Sequence, residues 1–274
     1  MAESFRVLHP IKYYRDYIAS NVRPDGRGLH KFRPVLVNIG SIQTADGSAL
    51  AKVGDTTVIC GIKAELCTPK PECAREGFLI PNVELPPLCS PKFRPGPPSD
   101  EAQVASQLLA NIVKNSKCIN LQELCLFPEK LAWCLFADII CISYDGSLMD
   151  ACIIALMAAL KSVQLPVVDY DPAADSRLVN EEEKKSLNIK SVPICSTFSI
   201  FDEKVVLYDP TDEEESLCSS TFNIVVREDQ LSSVHKPGGA PISDEKLFEC
   251  IKVSKERAST ICKLIETAIH ENNT

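Results

Sequence analysis

The segment Ala151–Val163, ACIIALMAALKSV, constrains the fold more than any other stretch of this sequence. It is apolar nearly all round, so a helix formed here has no face to give to water. The charge-free part, Ala151 to Leu160, is too short to cross a bilayer and is the longest candidate in the chain. Such a helix has to be covered on both sides, so the rest of the 274 residues must supply a layer above and a layer below. That length fits one large domain or two tightly joined ones.

The layers read as strands. Residues 35–66 break into LVNIG, SALAKV and TTVICGIKAEL, separated by the turn Ala45-Asp46-Gly47-Ser48 and by Gly54-Asp55. The second pair suits a two-residue type II′ hairpin, with glycine first to accept a positive φ. Val58, Cys60 and Ile62 alternate with Thr57, Ile59 and Gly61, so the third strand is expected to be buried on both faces. Residues 131–144, LAWCLFADIICISY, read as a central strand, and Asp145-Gly146 turns it into the apolar helix. Between these lies 67–98, a long irregular stretch in which Pro81, Pro86, Pro87, Pro91, Pro95, Pro97 and Pro98 exclude regular helix and central strand. Ser99 then caps a helix with Asp100 and Glu101 in its first turn and a stripe of Val104, Leu108, Leu109, Ile112 and Val113.

The plan repeats. VPICSTFSIF and KVVLYD pair around Asp202-Glu203, STFNIVV and QLSSVH around Glu228-Asp229, and a long helix follows from about Ser243. Its buried face is Leu247, Ile251, Ala258, Ile261, Ile265 and Ile269. The expected organisation is an N-terminal helix (10–20) and turn in 1–30, a first half in 31–165, an acidic polar linker in 166–188, and a second half with a C-terminal helix in 189–274. The fold class is α+β, a mixed α/β protein of two similar halves.

Composition narrows the function. The net charge of −8 argues against a chain that grips nucleic acid by itself, since such chains usually show a basic face. Thirteen cysteines without a CxxC pair, several inside apolar runs, read as small hydrophobes in a reducing compartment, and the four histidines are scattered. No zinc site is expected. The N-terminus, MAESFRVLHPIKYY, lacks the apolar core of a secretory signal, which points to the cytosol or nucleus.

RPDGR at 23–27, DGSALAKVGDTTVICGIK at 46–63, FRPGPP at 93–98, DGSLMDACIIALMAALK at 145–161, VLYDPTDEEE at 206–215 and HKPGG at 235–239 occur in this order across nearly the whole chain. Together they resemble the RNase PH family, and within it the non-catalytic ring subunits of the eukaryotic RNA exosome. The resemblance implies an RNase PH-like fold of two repeated βαβ-type halves. It further implies a hetero-hexameric ring of RNase PH-like subunits, RNA-binding cap subunits, and RNA passing through a central channel. It places the protein in nucleus, nucleolus and cytoplasm, serving rRNA maturation and mRNA turnover, with no membrane association and no cofactor.

Active members of the family use phosphate to cleave RNA from its 3′ end, which needs cations and backbone N–H donors for the anion and carboxylates to position a divalent metal or assist the leaving oxygen. The resemblance places their Gly-Thr-Arg phosphate grip at Ser147, Leu148 and Met149, where leucine has no hydroxyl, methionine cannot pair with phosphate, and Asp150 alongside would repel it. Their two spaced aspartates fall at Glu215 and Thr221, and a neutral hydroxyl is a poor metal ligand and no general base. Two arginines that silent archaeal-type subunits lend to a neighbour fall at Gln107 and Asn111, both uncharged. This degenerate ancestral site implies a chain that is no enzyme, with no catalytic residue and no metal. The alternative is an active phosphate-dependent 3′-to-5′ exoribonuclease.

Lys92, Arg94 and Lys114 are the candidate RNA contacts. Lys92 and Arg94 flank Phe93 in the proline-rich loop and suit either an RNA backbone or the acids and carbonyls of a neighbouring subunit. Asp212 to Glu215 read as a solvated turn rather than a metal cluster. Asp138 in its apolar strand reads as a buried internal hydrogen-bond acceptor rather than a remnant of the ancestral site. RPDGR reads as structural, with Asp25 tying the turn to its own backbone.

Overall fold

A computed structural model describes residues 2–171 and 176–272. In chain order the elements are helices α1 (Ala2–Leu8) and α2 (Pro10–Ala19), strands β1 (Val35–Ile39), β2 (Gly47–Val53), β3 (Thr56–Cys67) and β4 (Phe78–Glu84), helix α3 (Asp100–Ser116), strands β5 (Cys125–Phe127) and β6 (Leu131–Ser143), and helix α4 (Leu148–Ser162). Then come strands β7 (Gln164–Asp171), β8 (Ser176–Ser186), β9 (Pro193–Phe201) and β10 (Val205–Tyr208), helix α5 (Asp212–Leu217), strands β11 (Ser220–Arg227) and β12 (Gln230–His235), and helix α6 (Asp244–Asn272).

The apolar segment forms α4, and every residue from Met149 to Leu160 is buried. One side of α4 packs on β2 and β3, the other on β9, so it is the filling between the two sheets. Each fully buried Ile or Leu contributes about 2 kcal/mol of transfer free energy, and Ile154, Leu156 and Leu160 are all completely covered. Gly47 on β2 lets the helix approach. A Cβ there would lie 2.5 Å from a Val163 methyl and 2.9 Å from the Ala159 carbonyl oxygen.

The first sheet runs β1-β2-β3-β6-β4, with β5 also on β6, and the second runs β10-β9-β11-β12. Pairing is antiparallel except between β4 and β6, which are parallel and joined by the crossover through α3. The Gly54-Asp55 hairpin forms as its residues require: Gly54 has φ +58° and Val53 pairs with Thr56. Ser99 caps α3 through its side chain, accepting from the Ala102 N–H at 3.2 Å.

Several expectations are corrected. β3 is buried on one face; Thr57, Ile59 and Gly61 on the other are half-buried, because no layer covers that side of the sheet. The proline-rich stretch contains β4, with Pro81 inside it. β4 is an edge strand, so the missing N–H of Pro81 costs no ladder bond, and Ser106 takes the Val83 N–H at 2.8 Å. Val104 on α3 is exposed; the buried stripe is Ala102, Ala105, Leu109 and Ile112. The expected linker carries the antiparallel pair β7–β8, a ribbon whose exposed Glu183, Lys184 and Lys185 gave no apolar period to read. α1 also precedes the one N-terminal helix expected.

Candidate functional site

β6 turns into α4 through a tight corner at residues 144–147, and the segment 209–215 of the second half packs against it. Gly146 has φ +72°, and a Cβ there would lie 2.5 Å from the Pro210 carbonyl oxygen. Thr56 pins the corner from β3: its Oγ1 donates to the Gly146 carbonyl at 2.8 Å and accepts from the Asp145 N–H at 3.1 Å. Ser147 adopts a left-handed conformation, φ +48°, and its Oγ donates to the Pro210 carbonyl at 3.1 Å.

Here the structure joins two residues singled out far apart in sequence. The Ser147 N–H donates to Glu215 Oε1 at 2.8 Å, and the Tyr144 hydroxyl donates to Glu215 Oε2 at 3.3 Å. The backbone donor at the start of α4 is therefore occupied by the chain's own carboxylate. Leu148 is half-buried and Met149 buried. Thr221 is not brought into this cluster by any described contact; it lies on β11 opposite Ser199 of β9.

The acidic run 212–215 is neither a solvated turn nor a metal cluster. It is the first turn of α5, opened by a reciprocal cap between Thr211 and Glu214. Its residues grip four different segments. Glu213 pairs with Arg6 of α1 and accepts from the Tyr14 hydroxyl of α2 at 2.6 Å. Glu214, buried, meets the fully buried Arg23 at 3.3 Å. Glu215 holds the corner, and the Asp212 N–H donates to Asp145 Oδ1 at 3.3 Å. A run of identical charges cannot be read for this arrangement, because the partners are supplied by distant segments.

Behind the corner the cations are already matched. Arg33 donates from NH2 to Asp209 Oδ1 at 2.8 Å and from Nε to Oδ2 at 3.0 Å, and from NH1 to Asp145 Oδ2 at 3.1 Å. Burial pushes the Asp209 carboxyl up, but Arg33 outweighs it and holds the group well below the usual carboxylate range. Asp150, completely buried, pairs with Arg257 of α6 and accepts from the Thr197 hydroxyl at 2.6 Å. Arg23 reaches the carbonyls of Leu29, Tyr208 and Asp209 as well as Glu214. Asp25 accepts from the Arg27 N–H at 2.9 Å, as a turn that holds itself requires. Glu215 has no such partner: burial, followed by repulsion from Asp212, outweighs its two donors and raises its carboxyl to about 7. Among the described residues no group of three His, Cys, Asp or Glu side chains converges as a metal site.

The proline-rich loop lies over the same corner, with Phe93 edge-on to Tyr144 at 5.5 Å between centroids. Lys92 is exposed but engaged: it pairs with Glu101 at 3.1 Å and sits over the Phe93 and Tyr144 rings. Arg94 is exposed and has no hydrogen-bond or ion-pair partner among the described residues, and the same holds for Lys114. Gln107 and Asn111 lie on the outward face of α3 and bond each other at 3.2 Å. Gln107 also borders a groove of about 470 Å³ between α3 and the edge strand β4, with Pro81, Asn82, Gln103 and Ser106. Asp138 is exposed, not buried; it points off the uncovered face of the sheet, 3.4 Å from the Asn82 amide. Arg33, Tyr144 and Asp209 complete the cluster and carried no signal in the sequence beyond their neighbourhood to the turns.

Two family models match the chain: the 3′ exoribonuclease family, domain 1, over residues 31–166, and domain 2 of the same family over residues 191–257. The exosome complex component rrp43 of Schizosaccharomyces pombe is 41% identical over 254 residues, covering 92% of this chain and 94% of that protein. The exosome complex component Rrp42 of Pyrococcus furiosus is 35% identical over 264 residues, covering 94% and 95%. Among solved structures, a chain of the Archaeoglobus fulgidus exosome with RNA bound to the active site superposes with a TM-score of 0.82 at 30% identity, covering 92% of this chain and 96% of that one. A chain of an archaeal exosome core gives 0.77 at 30% identity, covering 98% and 99%.

Proposed function

We propose, from the premise that this chain belongs to the 3′ exoribonuclease (RNase PH) family, that it is a catalytically silent subunit of an RNA exosome core. In this reading it closes a hetero-hexameric ring with other RNase PH-like subunits, carries RNA-binding cap subunits, and helps line the channel through which RNA passes. It serves 3′-to-5′ RNA processing and degradation, including rRNA maturation and mRNA turnover, in nucleus, nucleolus and cytoplasm.

The observation that carries the silent assignment is the contact between Ser147 and Glu215. Binding inorganic phosphate needs free backbone donors and cations. At the corner one donor is taken by a carboxylate, Leu148 and Met149 carry no charge, and the nearby Arg33 and Lys92 are paired with acids. Gln107 and Asn111 offer no cation to a neighbour's site either. Assembly is supported by the uncovered face of the first sheet, where Ile80 and Ile140 are exposed and Ile59, Leu50 and Phe136 half-buried.

The second reading, an active phosphorolytic exoribonuclease, has one observation in its favour: a carboxyl near neutrality at Glu215 would suit general acid or base work. The test combines two measurements. Tagged protein purified from its own cells is expected to bring other RNase PH-like subunits with it. Purified chain with RNA, phosphate and magnesium is expected to release no nucleoside diphosphate. Release that disappears on Glu215→Gln would favour the enzyme, and purification without family partners would count against the ring.

A further inference from the structure

In two places of this chain a hydroxyl residue directly precedes proline, at Thr68-Pro69 and at Ser90-Pro91, and lysine follows each time. After Thr68 the run soon turns acidic at Glu72, whereas after Ser90 it adds a second cation, Arg94, and meets no acid before Asp100. Ser90 lies in the stretch between β4 and α3, residues 85–99, which forms neither helix nor strand. Two anchors hold this loop on either side of the serine. The Cys89 carbonyl accepts from the Tyr144 N–H at 3.1 Å, and the Phe93 ring is buried. Between the anchors Ser90 is half-buried and Pro91 and Lys92 are exposed. The bonds at Ser90 are local: its Oγ accepts from the Lys92 N–H at 3.3 Å, and its carbonyl from the Phe93 N–H at 3.2 Å. Pro91 biases the residue before it towards extended backbone and has no N–H to leave bare, so the step suits an enzyme that reads an extended Ser-Pro.

A phosphate on Ser90 Oγ would meet the two positive charges of the loop. Arg94 is exposed and has no hydrogen-bond or ion-pair partner among the described residues. Lys92 is held by Glu101, but both side chains of that pair are about half exposed, 46% and 52%, and such a surface pair is weak. A phosphoserine carries nearly two negative charges and three strong acceptors, and it would stand where the Lys92 N–H already points. It therefore outcompetes a single exposed carboxylate for the Lys92 ammonium, and the released Glu101 turns to water.

We propose that Ser90 is a phosphorylation site for a proline-directed protein kinase, and that its phosphate draws Lys92 and Arg94 onto itself and so withdraws the loop's positive charge from RNA. In the step Ser90 Oγ bonds to the γ-phosphorus of ATP. The bond from that phosphorus to the β–γ bridging oxygen breaks, ADP leaves with the electron pair, and the hydroxyl proton passes to the kinase's base. The withdrawal from RNA rests on the reading of Arg94 as an RNA contact; the phosphorylation and the clamp do not.

The full chain is incubated with a purified proline-directed serine/threonine kinase, ATP and magnesium, and the phosphate is located by peptide mass spectrometry. Incorporation is expected at Ser90 and is expected to vanish there in Ser90→Ala. A folded chain left unmodified at Ser90 overturns the site. The clamp is read by phosphorus NMR titration of the phosphorylated chain. A free phosphoserine loses its second proton at about 6; the clamped one is expected below about 5.5, and Lys92→Ala with Arg94→Ala to restore the ordinary value. A midpoint already at the ordinary value in the wild type overturns the clamp. The RNA effect is read by crosslinking of the purified complex to single-stranded RNA, which phosphorylation is expected to reduce severalfold, as Arg94→Glu does without it. A loss with Arg94→Glu and none with the phosphate overturns the regulation. A loss with neither overturns the RNA reading of Arg94, while the phosphorylation site and its clamp stand or fall on the first two measurements.

Discussion

Arg33, just ahead of β1, and Asp209, just after β10, form a two-bond pair at 2.8 and 3.0 Å, and the Arg33 N–H adds a third bond to the same carboxylate at 2.8 Å. Both side chains are buried, so each depends on the other for its charge. Arg33→Ala or Asp209→Ala alone is expected to cost about 3–5 kcal/mol in urea denaturation, and the double change to Met and Leu less than the sum of the two. Because the Asp209 carboxyl is held low, its contribution is present at neutral pH and is lost only as pH falls below the ordinary carboxylate range. Stability profiles of wild type and Asp209→Asn should therefore converge only in acid.

Arg23 is expected to tolerate no cation in its place. Its guanidinium serves three carbonyls and Glu214 at once, from a fully buried position. A lysine amine is a single point and leaves several of those acceptors bare. Arg23→Lys should lose about 2–4 kcal/mol, whereas Arg27→Lys, at the surface end of the turn, should lose less, by the same denaturation measurement.

Gly146→Ala should unsettle the corner that holds Glu215. The substitution meets a left-handed backbone and a carbonyl oxygen 2.5 Å from the new methyl. A loss of at least about 2 kcal/mol follows, a fall of about 5 °C in Tm. An unchanged melting curve would contradict the packing of segment 209–215 against it.

The two basic residues of the proline-rich loop should separate in RNA crosslinking of the purified complex. Arg94→Glu is expected to reduce crosslinking to single-stranded RNA severalfold, with a weaker salt dependence of binding. Lys92→Ala should change it by less than about twofold, because Lys92 is already spent on Glu101 and two aromatic rings.

What the sequence made legible was whatever is decided locally. Gly54-Asp55 closes its hairpin, Ser99 caps α3, and the uninterrupted apolar run becomes the covered helix, each by short-range chemistry. What it hid was decided at a distance. Asp138 sits in an apolar strand, yet which face of that strand stays bare depends on layers formed elsewhere. Pro81 argued against a central strand, and the irregular reading of its stretch missed that β4 stands at the sheet edge, where a proline is tolerated. The candidate site was half visible: Ser147 and Glu215 stood out singly, while their hydrogen bond belongs to the packing of two halves. The acidic run looked uniform because its partners, Arg6, Tyr14, Arg23 and Ser147, are contributed by other segments.

The covered helix α4 lies in the first half in sequence, yet the second half supplies one of its two covers. Its second cover, β9, emerges from the ribosome after it, behind the whole β7–β8 ribbon. Until then the nascent chain carries an oily rod with one bare flank, and cutting the gene between the halves would make that condition permanent. The two halves therefore share one core, and the apolar flank of α4 is exposed to aggregation until β9 arrives.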